Sequence, residues 1–333
     1  MVCAAPGIPV RGPSGSSAHF RGMARAFARR TSVRIVAARL ADQRGEHGQI
    51  ELPMRAPRPP LFPTRRFPER RERAFASRVA RIEGPVPELI YERWTLFSEA
   101  GRFARRGLPR VLEVNAPLLE ERLRFESVRD EGYTRKWQAR SLEGADLYAC
   151  VSPWLAQWVE DQGVPHERIE VVPNGTEALM GERTARGDFV VGFVGSMKPW
   201  HGADRVERLA RQAGGEALLV GDPPVGEQAV ADAIASMDVA LAPYRADAPA
   251  WFCPLKVAAY RAQGTPVVAT RVGAMERWVG EGGTVVPDDD GLLVEAIRSW
   301  RGRRARASLR SWDDVANEVL AALASRGCSL SFR

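Results

Sequence analysis

Apolar positions fall into two series of short β-branched or aliphatic runs, each run separated from the next by a stretch with helical spacing. In the first series a short opening run at 2–5 precedes residues 18–30, where His19, Met23, Phe27 and several alanines recur on one helical face. Runs then follow at 33–39 (VRIVAAR), 88–91 (ELIY), 110–114 (RVLEV), 147–151 (LYACV) and 169–172 (IEVV). This alternation predicts a mostly parallel sheet wrapped by helices. A second series at 189–194 (FVVGFV), 217–220, 239–242, 266–270 and 284–286 predicts a second lobe of the same kind. Pro173-Asn174-Gly175 punctuates the chain between them. The expected fold class is therefore α/β, with two doubly wound parallel-sheet domains at 1–173 and 174–311. A last helix from 312, preceded by an arginine-rich stretch at 301–310, is expected to pack back on the first domain.

The length of 333 residues agrees with two domains of about 150 residues each. With 45% hydrophobic and 27% charged residues, the composition is that of a folded soluble chain. No apolar run reaches the roughly 18 residues of a membrane span, and the N-terminus lacks the order of a signal peptide, so a cytoplasmic location is expected. Cys3, Cys150, Cys253 and Cys328 are scattered, with neither CxxC nor histidine at metal-ligand spacing, which argues against a disulfide framework and a metal site. The formal net charge is +7, yet only Lys136, Lys198 and Lys256 are lysines, so a lysine inside a motif carries extra weight.

The stretch between Arg65 and Arg81 holds seven arginines and two glutamates interleaved with Phe67 and Phe75. It reads first as a solvated charged helix, and second as a docking surface for an acidic carrier protein or an anionic membrane. Nothing in the chain matches a nucleic-acid motif.

Ligands of open α/β sheets bind beyond the carboxyl ends of the strands, so the loops there are where chemistry is expected. The first such loop, 12–19 (GPSGSSAH), is rich in glycine and serine but is neither GxGxxG nor a Walker loop, which disfavours nicotinamide and ATP. The second, 192–202 (GFVGSMKPWHG), combines glycines with Lys198 and His201. In the third, Cys253-Pro254-Leu255-Lys256 opens a helix. A cation at a helix start opposes the helix dipole, and an anion attracted by both would explain it.

The segments PGIPVRGPSGSSAHFRGMARAFARR, YERWTLFSEAG, VLEVNAPLLEE, VVPNG, VGFVGSMKPWHG, MDVALAPY and PLKVAAYRAQGTPVVATRVGAMERWV together resemble the family 4 retaining glycosyltransferases, in the family's order and over nearly the whole chain. The resemblance implies the GT-B architecture of two Rossmann-like domains facing a cleft. It also implies a nucleoside-diphosphate sugar bound mainly by the C-terminal domain and an acceptor bound mainly by the N-terminal one. No cofactor and no metal ion are implied, since cationic side chains and helix starts meet the departing diphosphate.

Carried over residue by residue, the resemblance puts Gly15 and Ser16 at the donor phosphate, together with Gly195, Ser196, His201, Pro254 and Leu255. Ser196 and His201 stand where the family has arginine and lysine, and Lys198 and Lys256 are expected to restore that charge. The acid pair spaced eight apart falls on Trp251 and Ala259, so neither carboxylate is present, and Glu276 is the candidate substitute. Only residues 223–236 intervene before MDVALAPY, fewer than the family uses to seat the nucleobase. In the first domain Glu92 and Arg93 stand where the family often has a histidine near the transferred sugar. Glu92 is the candidate base, though a strand-end salt bridge is the competing reading. His19 is expected at the sugar or acceptor, with a core or surface histidine as the alternative. Glu113, Asn115 and Trp94 are expected at the acceptor.

The expected reaction is retaining transfer from a UDP-sugar, or less favourably a GDP-sugar, through an oxocarbenium-like state. The acceptor is expected to be a small molecule, a lipid-linked sugar or a carrier-bound group. Two other classes stay open: a catalytically silent binding protein, motivated by the missing acid pair, and a sugar-nucleotide epimerase of the same architecture. An oxidoreductase is a distant third.

Overall fold

The computed structural model describes residues 1–40, 52–56, 58, 68–82, 85–99, 107–184, 188–223, 225–328 and 330. The chain divides into two compact units, Met1–Pro173 with Val315–Arg333, and Asn174–Asp314.

Unit 1 carries a seven-stranded parallel sheet. Its strands are β1 (Val2–Cys3), β2 (Ile35–Ala37), β3 (Met54–Arg55), β4 (Ile90–Arg93), β5 (Arg110–Val114), β6 (Leu147–Cys150) and β7 (Ile169–Val171). They lie side by side in the order β3-β2-β1-β4-β5-β6-β7. Strands β4, β5 and β6 are buried at every residue, as expected of a sheet covered on both faces. Helix α1 (Gly15–Ala28) follows β1, and Ser14 caps it by accepting the Ser17 N–H at 3.2 Å. Its buried face includes His19, Phe20, Met23 and Phe27. Gly15 and Ser16 are thus the first residues of the helix itself, a correction to their expected place in the loop.

The further helices of this unit are α2 (Pro68–Val79), α3 (Leu118–Phe125), α4 (Glu131–Leu142) and α5 (Pro153–Asp161). The arginine-rich stretch forms α2, residues 65–67 lying outside the described residues. Several of its charges are engaged within the unit, while Arg70 and Arg71 are exposed. Glu69 is buried and accepts the Arg129 N–H, Arg73 stacks 4.2 Å from the Trp137 ring and bonds Glu99, and Glu72 pairs with Arg122.

Unit 2 carries five parallel strands, β8 (Val190–Val194), β9 (Glu216–Val220), β10 (Val239–Ala242), β11 (Val267–Thr270) and β12 (Gly283–Val286), in the order β12-β11-β10-β8-β9. Alternate side chains feed opposite faces. Val191, Phe193, Leu241 and Val268 pack on α6 (Val206–Gln212) and α10 (Asp290–Ser299). Val190, Ala240, Val267 and Tyr260 pack on the side of α7 (Glu227–Ser236), α8 (Leu255–Ala262) and α9 (Met275–Val279). Helix α11 (Trp312–Ser325) begins in unit 2 and passes into unit 1.

The strand order turns back beside the first strand of each sheet, between β1 and β4 in unit 1 and between β8 and β10 in unit 2. At such a switch point the loops leaving adjacent strands diverge and open a crevice.

Candidate active site

In unit 2 the switch point brings the loop after β8 against the start of α8. Gly195 sits at φ +141° with its N–H on the Val220 carbonyl at 2.8 Å. Ser196, Met197 and Lys198 are exposed, and the Pro199–His201 turn ends at Gly202 in the left-handed region. A Cβ at Gly202 would lie 1.9 Å from the Pro243 carbonyl oxygen, so only glycine lets the loop approach there. Beside this loop an open cavity of about 570 Å³ is lined by Met197, Lys198, Pro199, Ala203, Asp204 and Arg245.

Burial, with the charges of Lys256 and Lys198, pulls His201 down to about 4. The ring is therefore neutral, and its Nδ1–H donates to the Ser196 carbonyl at 2.7 Å. Lys198 Nζ lies 5.5 Å from the Trp200 ring.

Helix α8 starts at Leu255 behind Pro254, with no side-chain cap and no acid in its first turn. Its first N–H groups therefore offer positive potential. Lys256 rises from this turn. The residue is half-buried, but its Nζ is enclosed, with no hydrogen-bond partner among the described residues. That nitrogen lies 3.9 Å from the Phe193 ring centroid and 5.4 Å from that of Tyr244. It packs directly beneath Gly195, where an added Cβ would come within 2.8 Å of it. Burial lowers the Lys256 pKa to about 7.

Four residues that the sequence reading passed over build this pocket. Phe193 and Tyr244 are the rings against the amine. Tyr260, one helical turn after Lys256, accepts the Val194 N–H at 2.7 Å and so fastens α8 to the end of β8. Arg205, 4% exposed, bonds Asp288 and the carbonyls of Pro243 and Tyr244. Phe193 looked like an ordinary strand residue in sequence, and Tyr244 lay just past a strand ending at Ala242. For Tyr260 the i+4 spacing from Lys256 was the available signal.

Trp251 and Ala259 supply no carboxylate: Trp251 is buried edge-on to Phe252, and Ala259 packs against the core. Glu276 is exposed and bonds Arg271 at 2.8 Å. Pro254 and Leu255 lie at the helix start as expected.

In unit 1 the register sets Cys3, Arg93 and Glu113 side by side across β1, β4 and β5. His19, on the first turns of α1, bonds Glu113 Oε1 through Nε2, and Arg93 Nη1 lies 3.9 Å from the same oxygen. All three are buried. For Glu113, burial alone would raise the pKa, but His19, Arg93 and Asn115 outweigh it and hold the carboxyl at about 2. Burial pushes His19 down, against the pull of Glu113. Asn115 is half-buried just past the strand.

Two expectations here are corrected. Glu92 points to the opposite sheet face from Arg93 and meets Arg110 diagonally on β5, which donates to Glu92 Oε2 at 2.9 and 2.6 Å. Both side chains are 0% exposed, so Glu92 is a sheet-core ion pair and cannot meet a substrate proton. Trp94 is 3% exposed, donates to Ser141 Oγ at 2.9 Å and packs on Trp158; it is a core residue and not an acceptor contact.

Among the described residues no group of three or more His, Cys, Asp or Glu is arranged to hold a metal ion, and no helix is long and apolar enough to cross a membrane.

Two family models match the chain: Glycosyltransferase Family 4 over residues 13–178, and Glycosyl transferases group 1 over 178–300. Among curated protein sequences none matches. Similar solved structures include sucrose-phosphate synthase from Thermosynechococcus elongatus, at 16% identity and TM-score 0.70 over 94% of this chain and 93% of that one. Anabaena HepE in complex with UDP-glucose is similar at 14% identity and TM-score 0.60, over 95% and 98%. AviGT4, a glycosyltransferase involved in avilamycin A biosynthesis, is similar at 14% identity and TM-score 0.59, over 98% and 94%. At these identities the likeness is one of fold. The two family matches together span residues 13–300, and the chain belongs to the family 4 glycosyltransferases of GT-B fold.

Proposed function

We propose that the protein is a retaining glycosyltransferase in which unit 2 binds the diphosphate of a nucleotide sugar over Gly195, Ser196 and the start of α8, and unit 1 serves the acceptor. The observation that carries this reading is the Lys256 amine, enclosed without a hydrogen-bond partner at an uncapped helix start and beneath a left-handed glycine. A cationic group without an anion at such a place is built to receive one.

In the reaction, the bond between the anomeric carbon and the β-phosphate oxygen breaks, and an acceptor oxygen bonds that carbon from the same face. The acceptor's proton goes to the departing phosphate oxygen. Lys256, Lys198 and the N–H groups opening α8 meet the developing charge without a metal ion. Each well-placed donor of this kind is worth about 3 to 4 kcal/mol of barrier. His201, neutral and pinned to the Ser196 carbonyl, shapes the loop and leaves its Nε2 to accept a hydrogen bond.

UDP is the favoured nucleotide, supported by the fold likeness to HepE, whose structure holds UDP-glucose. A GDP-sugar is the second choice. In unit 1, His19, Arg93, Glu113 and Asn115 form the polar floor of the acceptor side. Small-molecule, lipid-linked and carrier-bound acceptors all remain within the proposal, in specialised or glycoconjugate biosynthesis, with the protein working in the cytoplasm, either free or peripheral to a membrane.

The test is turnover of UDP-, GDP- and dTDP-sugars against an acceptor panel, followed by Lys256→Ala. Release of free UDP or GDP that falls at least a hundredfold in the variant supports the reading. Nucleotide binding without turnover would mark a silent binding protein, and unchanged turnover in Lys256→Ala would sink the phosphate role of unit 2.

A further inference from the structure

The Lys256 nitrogen is not displayed on the surface. It is stored beneath Gly195, on the Phe193 ring, without a hydrogen-bond partner among the described residues. In this position a diphosphate above the loop cannot touch it. Among the described residues no carboxylate bonds to it. Beside it lie Gly195 and Phe193, with His201 near enough to feel its charge and Tyr244 from the loop after β10, while Tyr260 stands one turn further along α8.

His201 is neutral, and burial holds both tyrosines in their neutral form. An enclosed ammonium with no counter-ion and no acceptor is costly, and the way out open to a lysine is to lose its proton. Burial lowers its pKa to about 7. A diphosphate reverses the balance by placing negative oxygens beside the same nitrogen.

Resting on the donor site proposed above, we propose that diphosphate binding draws the Lys256 amine out from beneath Gly195 and is coupled to the uptake of one proton by that amine. The proton is given up by the buffer acid through solvent: the acid's own bond to that proton breaks as an N–H bond forms on the Nζ lone pair, and the buffer is left as its conjugate base. The protein then holds a fully charged clamp only while donor or product is present. Above pH 7 the affinity for a nucleoside diphosphate falls by about tenfold per pH unit, because a proton must be bound from an ever smaller supply.

Isothermal titration calorimetry of the full chain with UDP and GDP at pH 8, in HEPES and in Tris, tests this. The two buffers differ in ionisation heat, so the difference in binding heat counts protons. The expected result for the wild type is an uptake approaching one proton at pH 8, where the nucleotide's own phosphates are fully ionised, and shrinking as the pH is lowered towards 7. Lys256→Arg, which stays charged, is expected to bind without uptake, and Lys256→Met to bind weakly without uptake. His201→Asn is expected to keep the uptake. Tight binding with identical heats in the two buffers overturns the proton linkage while leaving the donor site standing. Uptake that persists in Lys256→Met overturns the assignment to this amine. Absence of any nucleotide binding overturns the donor site and the linkage together.

Discussion

Arg110 donates two hydrogen bonds to a single oxygen of Glu92, and neither side chain has any surface exposed to solvent. Buried pairs of this kind contribute little compared with a well-packed apolar replacement, but they are severe when broken on one side, because a charge is left in the core. Glu92→Gln is expected to lose about 3 to 5 kcal/mol in urea unfolding. The double variant Glu92→Met, Arg110→Met is expected to recover most of that loss. A Glu92→Gln protein of unchanged stability and lost turnover would restore Glu92 to the reaction.

Lys256 is expected to be bad for stability where it is good for binding. Its folded pKa of about 7 lies below the unfolded value of 10.5, so the unfolded chain binds the extra proton between those limits. Stability is therefore full above about pH 10.5, declines as the pH falls towards 7, and is flat below. Lys256→Met is expected to gain about 4 kcal/mol at pH 7 and about 1 kcal/mol at pH 10, while losing most of its turnover. Calorimetric melting at the two pH values checks the pattern; an equal gain at both would contradict the buried neutral amine.

Glu113 has the opposite signature. With a folded pKa of about 2 against an ordinary 4.5, its contribution is complete above about pH 4.5 and disappears as the pH drops towards 2. About 3 kcal/mol of acid destabilisation is expected to trace to this group. In Glu113→Gln that portion of the pH dependence vanishes from urea titrations run at pH 5 and pH 2.5, and the variant starts from lower stability.

Two glycines of the loop after β8 are expected to differ in their response to alanine. At Gly202, with φ +66°, the new Cβ meets a backbone carbonyl that is itself held by Arg205, so Gly202→Ala is expected to cost more than about 2 kcal/mol. At Gly195 the nearest atom is the flexible end of Lys256, which can yield. Gly195→Ala is expected to fold better than Gly202→Ala yet to bind UDP at least tenfold more weakly, as measured by calorimetric titration.

The strands were the most legible part of the sequence, because apolar runs such as RVLEV and FVVGFV have no other stable home than a covered parallel sheet. The two-residue strand Met54–Arg55 left too little pattern to find. Site residues divided by mechanism. Among the candidate residues, Gly195 and Lys256 stood out because a glycine after a strand and a rare lysine are conspicuous in an arginine-rich chain. Glu92 misled because the sequence shows two adjacent charges but not the pleat that sends them to opposite faces. Arg110, its partner, looked like the start of an ordinary strand. Phe193 and Tyr244 were invisible as site residues, since an aromatic ring beside an amine is indistinguishable in sequence from one beside a leucine.

Residues 174–314 form a closed unit within a chain whose other unit draws on both flanks, Met1–Pro173 and Val315–Arg333. On the ribosome the inner unit has all its strands before the outer one has received its final helical segment, so the two are expected to mature out of sequence order. A stalled or clipped chain ending near residue 314 would then present a finished inner unit joined to an unfinished outer one, with the face meant for α11 left open to chaperones or to aggregation.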